Sequence, residues 1–304
     1  MPKIVVTNNQ DFTDEQKQRL DSLGDVTYYD TLPKDGAEYL ERIKGADIIC
    51  SGTAGLQDAY TELKDVYVTV AFVSVAFVDV DIMKANGVTL SNAPGANRHA
   101  VSEWVLGMII LLTRNLYPTI NRKETFRING SLPPITLGLA GRNITILGQG
   151  YVGRRVADLA TAFGMRVTIF KRGDNLEQSV QNADVVVDTL SSNPSTQKLL
   201  NSNFFASMKQ YSYFVTVTRS EIVDEDALID ALDNGHLAGA ASDCGGTLVG
   251  NTDDPLYQKM LNHPKVLVTP HIAYNSEKSR KTGADIMIDN VEAYIKGKPQ
   301  NVVE

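Results

Sequence analysis

The stretch ITILGQGYVGRRVADLATAFGMRVTIFKRGD, residues 144–174, joins an apolar run, a glycine-rich turn, a helix-like segment and a second apolar run. Gly148, Gly150 and Gly153 form G-x-G-x-x-G, with Gln149, Tyr151 and Val152 filling the gaps. A glycine triplet alone is weak in a chain with 23 glycines. Its place between a strand and a helix gives it meaning. The first glycine permits a tight turn, the second lets the backbone approach a pyrophosphate, and the third lets helix pack on strand. The phosphates then rest on the free N–H groups and positive dipole end of the following helix. Where an acidic residue ordinarily binds the ribose 2′-hydroxyl, at the end of the next strand, this chain has Lys171 and Arg172. Lysine cannot accept that hydrogen bond, whereas the two cations suit a 2′-phosphate. NADP(H) is the preferred reading. NAD(H) is the alternative, with both cations solvated and Asp174 reaching the ribose.

Working outward, 304 residues with 43% hydrophobic content suffice for two packed domains. A net charge of -7 argues against nucleic acid or an anionic membrane as main partner. The two cysteines, Cys50 and Cys244, have neither zinc-type spacing nor a disulfide pattern, so a reducing cytoplasm is expected and no metal site. The start MPKIVVTNNQ lacks a signal-peptide pattern. The longest apolar runs, VTVAFVSVAFV (68–78) and VLGMIILL (105–112), fall short of the ~20 residues that span a bilayer. They read as a buried strand and a packed helix.

Short β-rich runs alternate with helix-like segments along almost the whole chain. KIVVTN (3–8), DVTYYD (25–30), ADIICSG (46–52), VYVTVAFV (66–73) and VTLSN (88–92) come first. Thr13 and Gln16 stand at capping-box spacing between the first two, with Gly24 as a stop. SNAPGANRHA (91–100) interrupts as a hinge, followed by a long apolar helix over 100–116. A second series comprises NITILG (143–148), RVTIF (166–170), DVVVDTL (184–190), SYFVTVT (212–218), LAGAASD (237–243) and VLVTP (266–270). A helix is expected over 224–235. The closing helix, about 276–297, has no strands of its own and is expected to return to the first domain. Strands apolar on both faces and separated by helices imply parallel sheets, hence an α/β protein with two doubly wound domains.

In such sheets ligands bind beyond the carboxyl ends of the strands. Arg219, Asp243 and His271 each follow a strand of the second series. A histidine can move a proton near neutral pH, an arginine can clamp a carboxylate and polarise a carbonyl, and Asp243 can accept from a carboxamide. The bland alternatives are a turn-capping histidine and a solvated arginine. His99, His236 and His263 receive no role.

Taken together, LGQGYVGRRVA (147–157), VTVTRSEIVDEDAL (215–228), LAGAASD (237–243), TPHIA (269–273) and NAPGANRHAVSEWVL (92–106) resemble the D-isomer-specific 2-hydroxyacid dehydrogenases over nearly the whole chain. The resemblance implies a flavodoxin-like substrate domain from residues 1–97 and 275–304, a Rossmann cofactor domain from 98–274, and a cleft between them. It implies hydride transfer between NAD(P)H and a small 2-oxo or D-2-hydroxy acid, and a homodimer to which the helix carrying Trp104 contributes. Arg219 matches the substrate-binding arginine and His271 the acid/base histidine. Asp243 and the Val217 carbonyl match the carboxamide-binding groups. The backbone at Ser74, Val75 and Ala76 matches the loop that takes the substrate carboxylate. A supporting glutamate is implied a few residues after Asp243, but the chain reads SDCGGTLVGNTDDP, with Gly246 at that position. That departure motivates a second reading, a weak or inactive nucleotide-binding sensor or interaction protein. Tyr274, where the family has glycine, is expected to shape the substrate pocket.

Overall fold

The computed structural model describes residues 1–116, 136–218, 221–243 and 252–304. Arg219, Ser220, Cys244 and Gly246 lie outside the described residues. The chain divides into two compact units, Met1–Asn97 with Asn275–Glu304, and Arg98–Tyr274.

The first unit is built on five parallel strands, β1 (Lys3–Val6), β2 (Asp25–Tyr28), β3 (Ile48–Ser51), β4 (Tyr67–Val70) and β5 (Thr89–Ser91). Their order is β2-β1-β3-β4-β5, the flavodoxin-like arrangement. β3 and β4 are buried at every position because helices cover both faces, which is why they read as unbroken apolar runs. The helix Asp14–Asp21 opens with the capping box: Gln16 N–H donates to Thr13 Oγ1 at 3.3 Å and Thr13 N–H to Gln16 Oε1 at 2.9 Å. The helix ends at Asp21, and Gly24 serves another purpose, since a Cβ there would lie 2.5 Å from the Pro2 carbonyl.

The run 68–78, expected as one buried strand, is corrected by the structure. The strand stops at Val70, and its neighbour β5 stops at Ser91. Beyond that point Phe72, Val75 and Phe77 fold back against the core beside the sheet. An apolar run satisfies burial equally well as a strand or as a folded-back loop, so its composition alone cannot tell the two apart.

The second unit has six parallel strands, β6 (Asn143–Leu147), β7 (Arg166–Phe170), β8 (Val185–Asp188), β9 (Tyr213–Thr216), β10 (Gly239–Ser242) and β11 (Val266–Val268). Their order is β11-β10-β9-β8-β6-β7. Counted from β6 this is a doubly wound, Rossmann-type sheet whose switch point falls between β6 and β8, with β7 left as an edge. Val187 and Val215 face the helices Arg98–Thr113 and Tyr151–Ala162, while Val186 and Phe214 face a layer that includes Phe204 and Phe205. The helix expected over 224–235 is Glu225–Asp233, capped by Asp224. No helix among the described residues is long and apolar enough to cross a membrane.

The last helix, Glu277–Ile295, packs on β4 and on the helix Asp14–Asp21 of the first unit. Tyr294 stacks on Tyr67 with ring centroids 4.0 Å apart, and Gln16 Nε2 donates to Asp285 at 2.6 Å. At Gly283 the helix backbone touches the chain leaving β4, where an added Cβ would lie 2.0 Å from the Ala71 carbonyl oxygen. Alanine is favoured over glycine inside a helix by ~1 kcal/mol. A clash with backbone typically costs about 1–3 kcal/mol or more. The clash outweighs the propensity, so Gly283→Ala is expected to lower stability in a denaturant titration. A neutral or stabilising result would contradict the contact.

Candidate active site

The switch point of the second unit is where its glycines act. Gly148 adopts φ 103°, a left-handed conformation suited to glycine. A Cβ at Gly153 would lie 2.1 Å from the Gly148 carbonyl oxygen, so helix and turn approach as closely as backbone allows. A Cβ at Gly150 would meet nothing within 4 Å. Space therefore opens above the turn, at the start of the helix Tyr151–Ala162, whose N-terminal N–H groups receive no side-chain cap. Open space beside backbone donors without a side-chain cap fits the pyrophosphate of a dinucleotide. Gln149 lies in the turn, Tyr151 is exposed beside it, and Val152 packs inward. Arg154 Nε donates to the Gln149 carbonyl at 2.8 Å, bringing a cation to the rim.

At the sheet edge, β7 delivers Lys171 and Arg172 to a tight turn. The Lys171 N–H donates to the Asp174 carboxylate at 2.8 Å, and the Asp174 N–H returns a bond to the Lys171 carbonyl at 3.0 Å. Both cations are exposed, and neither pairs with a carboxylate among the described residues. Asp174, the alternative ribose ligand, holds the turn that displays them. From β7 to β10 there are four strand intervals, about 19 Å at the usual spacing. A dinucleotide lying along the strand ends would cover that distance.

Three neighbouring strand ends meet at the far side. Val217 follows β9 and is half-buried; its N–H donates to the Asp188 carbonyl at 3.3 Å. Asp243 follows β10, is 2% exposed, and donates its N–H to the Thr216 carbonyl at 3.1 Å. Its side chain grips the turn after β11. Asp243 Oδ1 accepts from Thr269 Oγ1 at 2.5 Å and from the Ile272 N–H at 2.9 Å, while Oδ2 accepts from the Ala273 N–H at 2.9 Å. The Asp243 carbonyl accepts from the His271 N–H at 2.5 Å. His271 sits inside this grip with φ 56°, a left-handed conformation unusual for a side chain with a Cβ. The turn thus holds strain that Asp243 stabilises. Burial pushes the Asp243 carboxyl up from its ordinary range, while its hydrogen bonds and the His271 charge pull it back. His271 is half-buried, and Tyr274 packs edge-on against its ring with centroids 5.5 Å apart.

Two residues that strand-end reasoning passed over lie between the glycine turn and Val217. Thr189 Oγ1 donates to the Leu147 carbonyl at 2.9 Å, latching β8 to the start of the turn. Asp188 is fully buried and accepts from Thr216 Oγ1 at 3.0 Å, from Thr218 Oγ1, and from the Leu190 N–H at 3.0 Å. Burial, opposed by these bonds, pushes its carboxyl up to about 6. The rule that singled out Arg219, Asp243 and His271, applied to DVVVDTL, would have found both. Among the described residues no cluster of three or more His, Cys, Asp or Glu side chains is placed to hold a metal ion.

In the first unit, Ser74, Val75 and Ala76 occupy the loop after β4, with Ser74 and Ala76 exposed and Val75 packed inward. The Val78 N–H closes the loop on the Val75 carbonyl at 3.1 Å.

Residues 106–273 match the D-isomer specific 2-hydroxyacid dehydrogenase, NAD binding domain, family. A glycerate dehydrogenase of Methylorubrum extorquens is 31% identical over 280 residues, which cover 88% of each chain. A hydroxypyruvate reductase of Blautia hydrogenotrophica is 26% identical over 306 residues, 93% of each chain. A D-lactate dehydrogenase of Treponema pallidum has the same fold, with a TM-score of 0.80 at 23% identity over the full length of both chains. The chain belongs to the D-isomer-specific 2-hydroxyacid dehydrogenase family and is an NAD(P)-dependent oxidoreductase. Nothing in these comparisons favours the sensor reading that Gly246 motivated.

Asp188 yields a pH-dependent expectation. Its carboxyl titrates near 6 when folded, against an ordinary 3.8, so the folded chain holds the extra proton between those values. Stability from this group is fully present below the lower value and lost as pH rises through the upper one. Asp188→Asn removes the dependence. Relative to wild type, the variant should gain up to about 3 kcal/mol between pH 4 and pH 7 in denaturant titrations. A constant difference across that range would show that Asp188 does not titrate as described.

Proposed function

We propose that the chain reduces a small 2-oxo acid to the D-2-hydroxy acid with NADPH, and runs the reverse oxidation with NADP. The observation that carries this reading is the Asp243-clamped His271 at a strand end of the same sheet that bears the glycine cradle. The backbone of Gly148–Gly153, with Tyr151 and Val152 leading into the helix, would hold the pyrophosphate. Lys171 and Arg172 would take the 2′-phosphate. The Val217 carbonyl would accept from the carboxamide, and so would Asp243 through Oδ2, which also accepts from the Ala273 N–H. When bound, the cofactor supplies a hydride for the carbonyl carbon.

This chain's residues do the remaining work. Amides around Ser74, Val75 and Ala76 bind the substrate carboxylate. Arg219 binds the same carboxylate and draws charge toward the carbonyl oxygen. The His271 imidazolium donates its proton to that oxygen as charge develops, and the neutral ring retakes it in the oxidation. The Asp243 carboxylate favours the protonated ring by its charge and fixes the backbone that carries it, so support for the histidine does not depend on a glutamate near Gly246. The resemblance further supports a homodimer to which the helix Arg98–Thr113 contributes, and the sparse cysteines support a cytoplasmic setting.

Steady-state assays with glyoxylate, hydroxypyruvate and pyruvate, each with NADPH and NADH, test the reading. Turnover is expected with at least one acid, falling about 10²–10⁴-fold in His271→Ala. No oxidation of either cofactor by any of the acids would overturn it. The Lys171→Ala, Arg172→Ala double variant should lose about 10–100-fold in NADPH-over-NADH preference, the worth of one or two charge-assisted bonds. An unchanged preference would overturn the phosphate assignment.

A further inference from the structure

We infer that Asn92 is a positioning residue for the substrate: backed by Asn290 and Asn301, it orients the backbone of the 73–76 loop. The inference rests on the proposed role of that loop in binding the substrate carboxylate. Asn92 Nδ2 donates to the Val73 carbonyl at 2.6 Å. Asn290, fully buried on the last helix, donates through Nδ2 to the Asn92 carbonyl at 2.9 Å and to Thr69 Oγ1 at 3.2 Å. Asn301 Nδ2 donates to Asn290 Oδ1 at 2.8 Å.

Each link has a forced direction. A backbone carbonyl can only accept, so the nitrogen of Asn92 must face Val73 and the nitrogen of Asn290 must face Asn92. Asn290 then presents its oxygen to Asn301, whose nitrogen must meet it. The relay is a one-way series of donors running from the tail into the loop. The tail is itself anchored, since the Asn92 N–H donates to the Asn301 carbonyl at 3.1 Å and Ser91 Oγ to the Gln300 carbonyl at 2.8 Å.

The last donor acts on the loop through peptide geometry. The Val73 carbonyl and the Ser74 N–H belong to one planar unit and point in opposite directions across a trans bond, and no peptide bond among the described residues is cis. Holding the carbonyl toward Asn92 therefore turns the Ser74 N–H away from it. The preceding carbonyl, Phe72, is held by the Ala93 N–H at 3.0 Å, so two successive peptides are tied to the same 92–93 segment. Gly283 of the last helix backs Ala71 at the base of the loop. Loop shape is thus dictated by residues about 20 and 220 positions further along the chain.

The test compares wild type with Asn92→Ala, Asn92→Asp and Asn301→Ala. Asn92→Ala removes the side-chain donor while its backbone bonds persist. Asn92→Asp places an acceptor against the Val73 carbonyl. For the 2-oxo acid that wild type reduces best, KM should rise about 10-fold in Asn92→Ala, more in Asn92→Asp and less in Asn301→Ala, the loss of one hydrogen bond's worth of positioning. Here kcat should stay within about twofold and cofactor Kd should not move, because the variants leave the second unit untouched. Amide hydrogen exchange over 72–77 should quicken in the same order. Unchanged KM in both Asn92 variants, with an active wild type, overturns the inference alone. A wild type that reduces no 2-oxo acid removes the proposed function instead. Unaltered exchange over 72–77 in the Asn92 variants overturns the inference whether or not the wild type is active.

Discussion

The candidate site depends on one carboxylate. Asp243 receives three donors from the turn after β11, and its carbonyl receives a fourth, from His271. A buried carboxylate without partners is costly, and here the partners are the very backbone whose shape matters. The result is reciprocal. The turn satisfies the acid, and the acid holds His271 in a left-handed conformation that the chain would otherwise leave. Removing the carboxylate would release a turn as well as a charge, so its structural and chemical roles are inseparable in a single substitution.

Charge placement follows the same economy. The chain carries a net -7, yet it belongs to a family whose cofactor is an anion and whose substrates are acids. A net negative charge offers an anion no overall attraction, so in the proposed function recognition rests on short-range donors: helix N–H groups above Gly150, and the two cations that Asp174 displays at the sheet edge. The interior holds acids pushed the other way. Asp188 beside the glycine turn and Glu225 at the start of its helix are both raised by burial, to about 6 and about 7. Asp188 binds the hydroxyls of Thr216 and Thr218, so the end of β9 is shaped by an acid that reaches solvent nowhere.

Much of this was legible from the chain because its signals are local. The capping box at Thr13 and Gln16, the strand–turn–helix around Gly148, and the aspartate before Glu225 each act within a few residues, and each forms as its chemistry demands. Strand ends were legible because a parallel sheet aligns its carboxyl termini along one edge. What escaped was decided across space. The run 68–78 is apolar apart from Thr69 and Ser74, and its strand stops where β5 ends and where the helix carrying Gly283 meets Ala71. Asp243 reads as a polar residue after a strand, and no pattern near it announces a turn 26 to 30 residues away. Asp174 reads as one of two alternatives for the ribose end, and its bond to the Lys171 N–H, which shapes the turn carrying both cations, is visible only in the fold.

The asparagines extend that lesson to the first unit. Asn92, Asn290 and Asn301 look like ordinary polar residues at a loop, a helix and a tail. Their amides differ from carboxylates in carrying donor and acceptor together, so a series of them transmits direction, as a series of acids cannot. A carboxylate at Asn290 would face the Asn92 carbonyl with no proton to offer and would bury a charge at a site with no exposure. An alcohol would be too short to reach both neighbours. The amide is therefore the side chain that meets Thr69, Asn92 and Asn301 together, and the geometry of the loop beyond β4 follows from it.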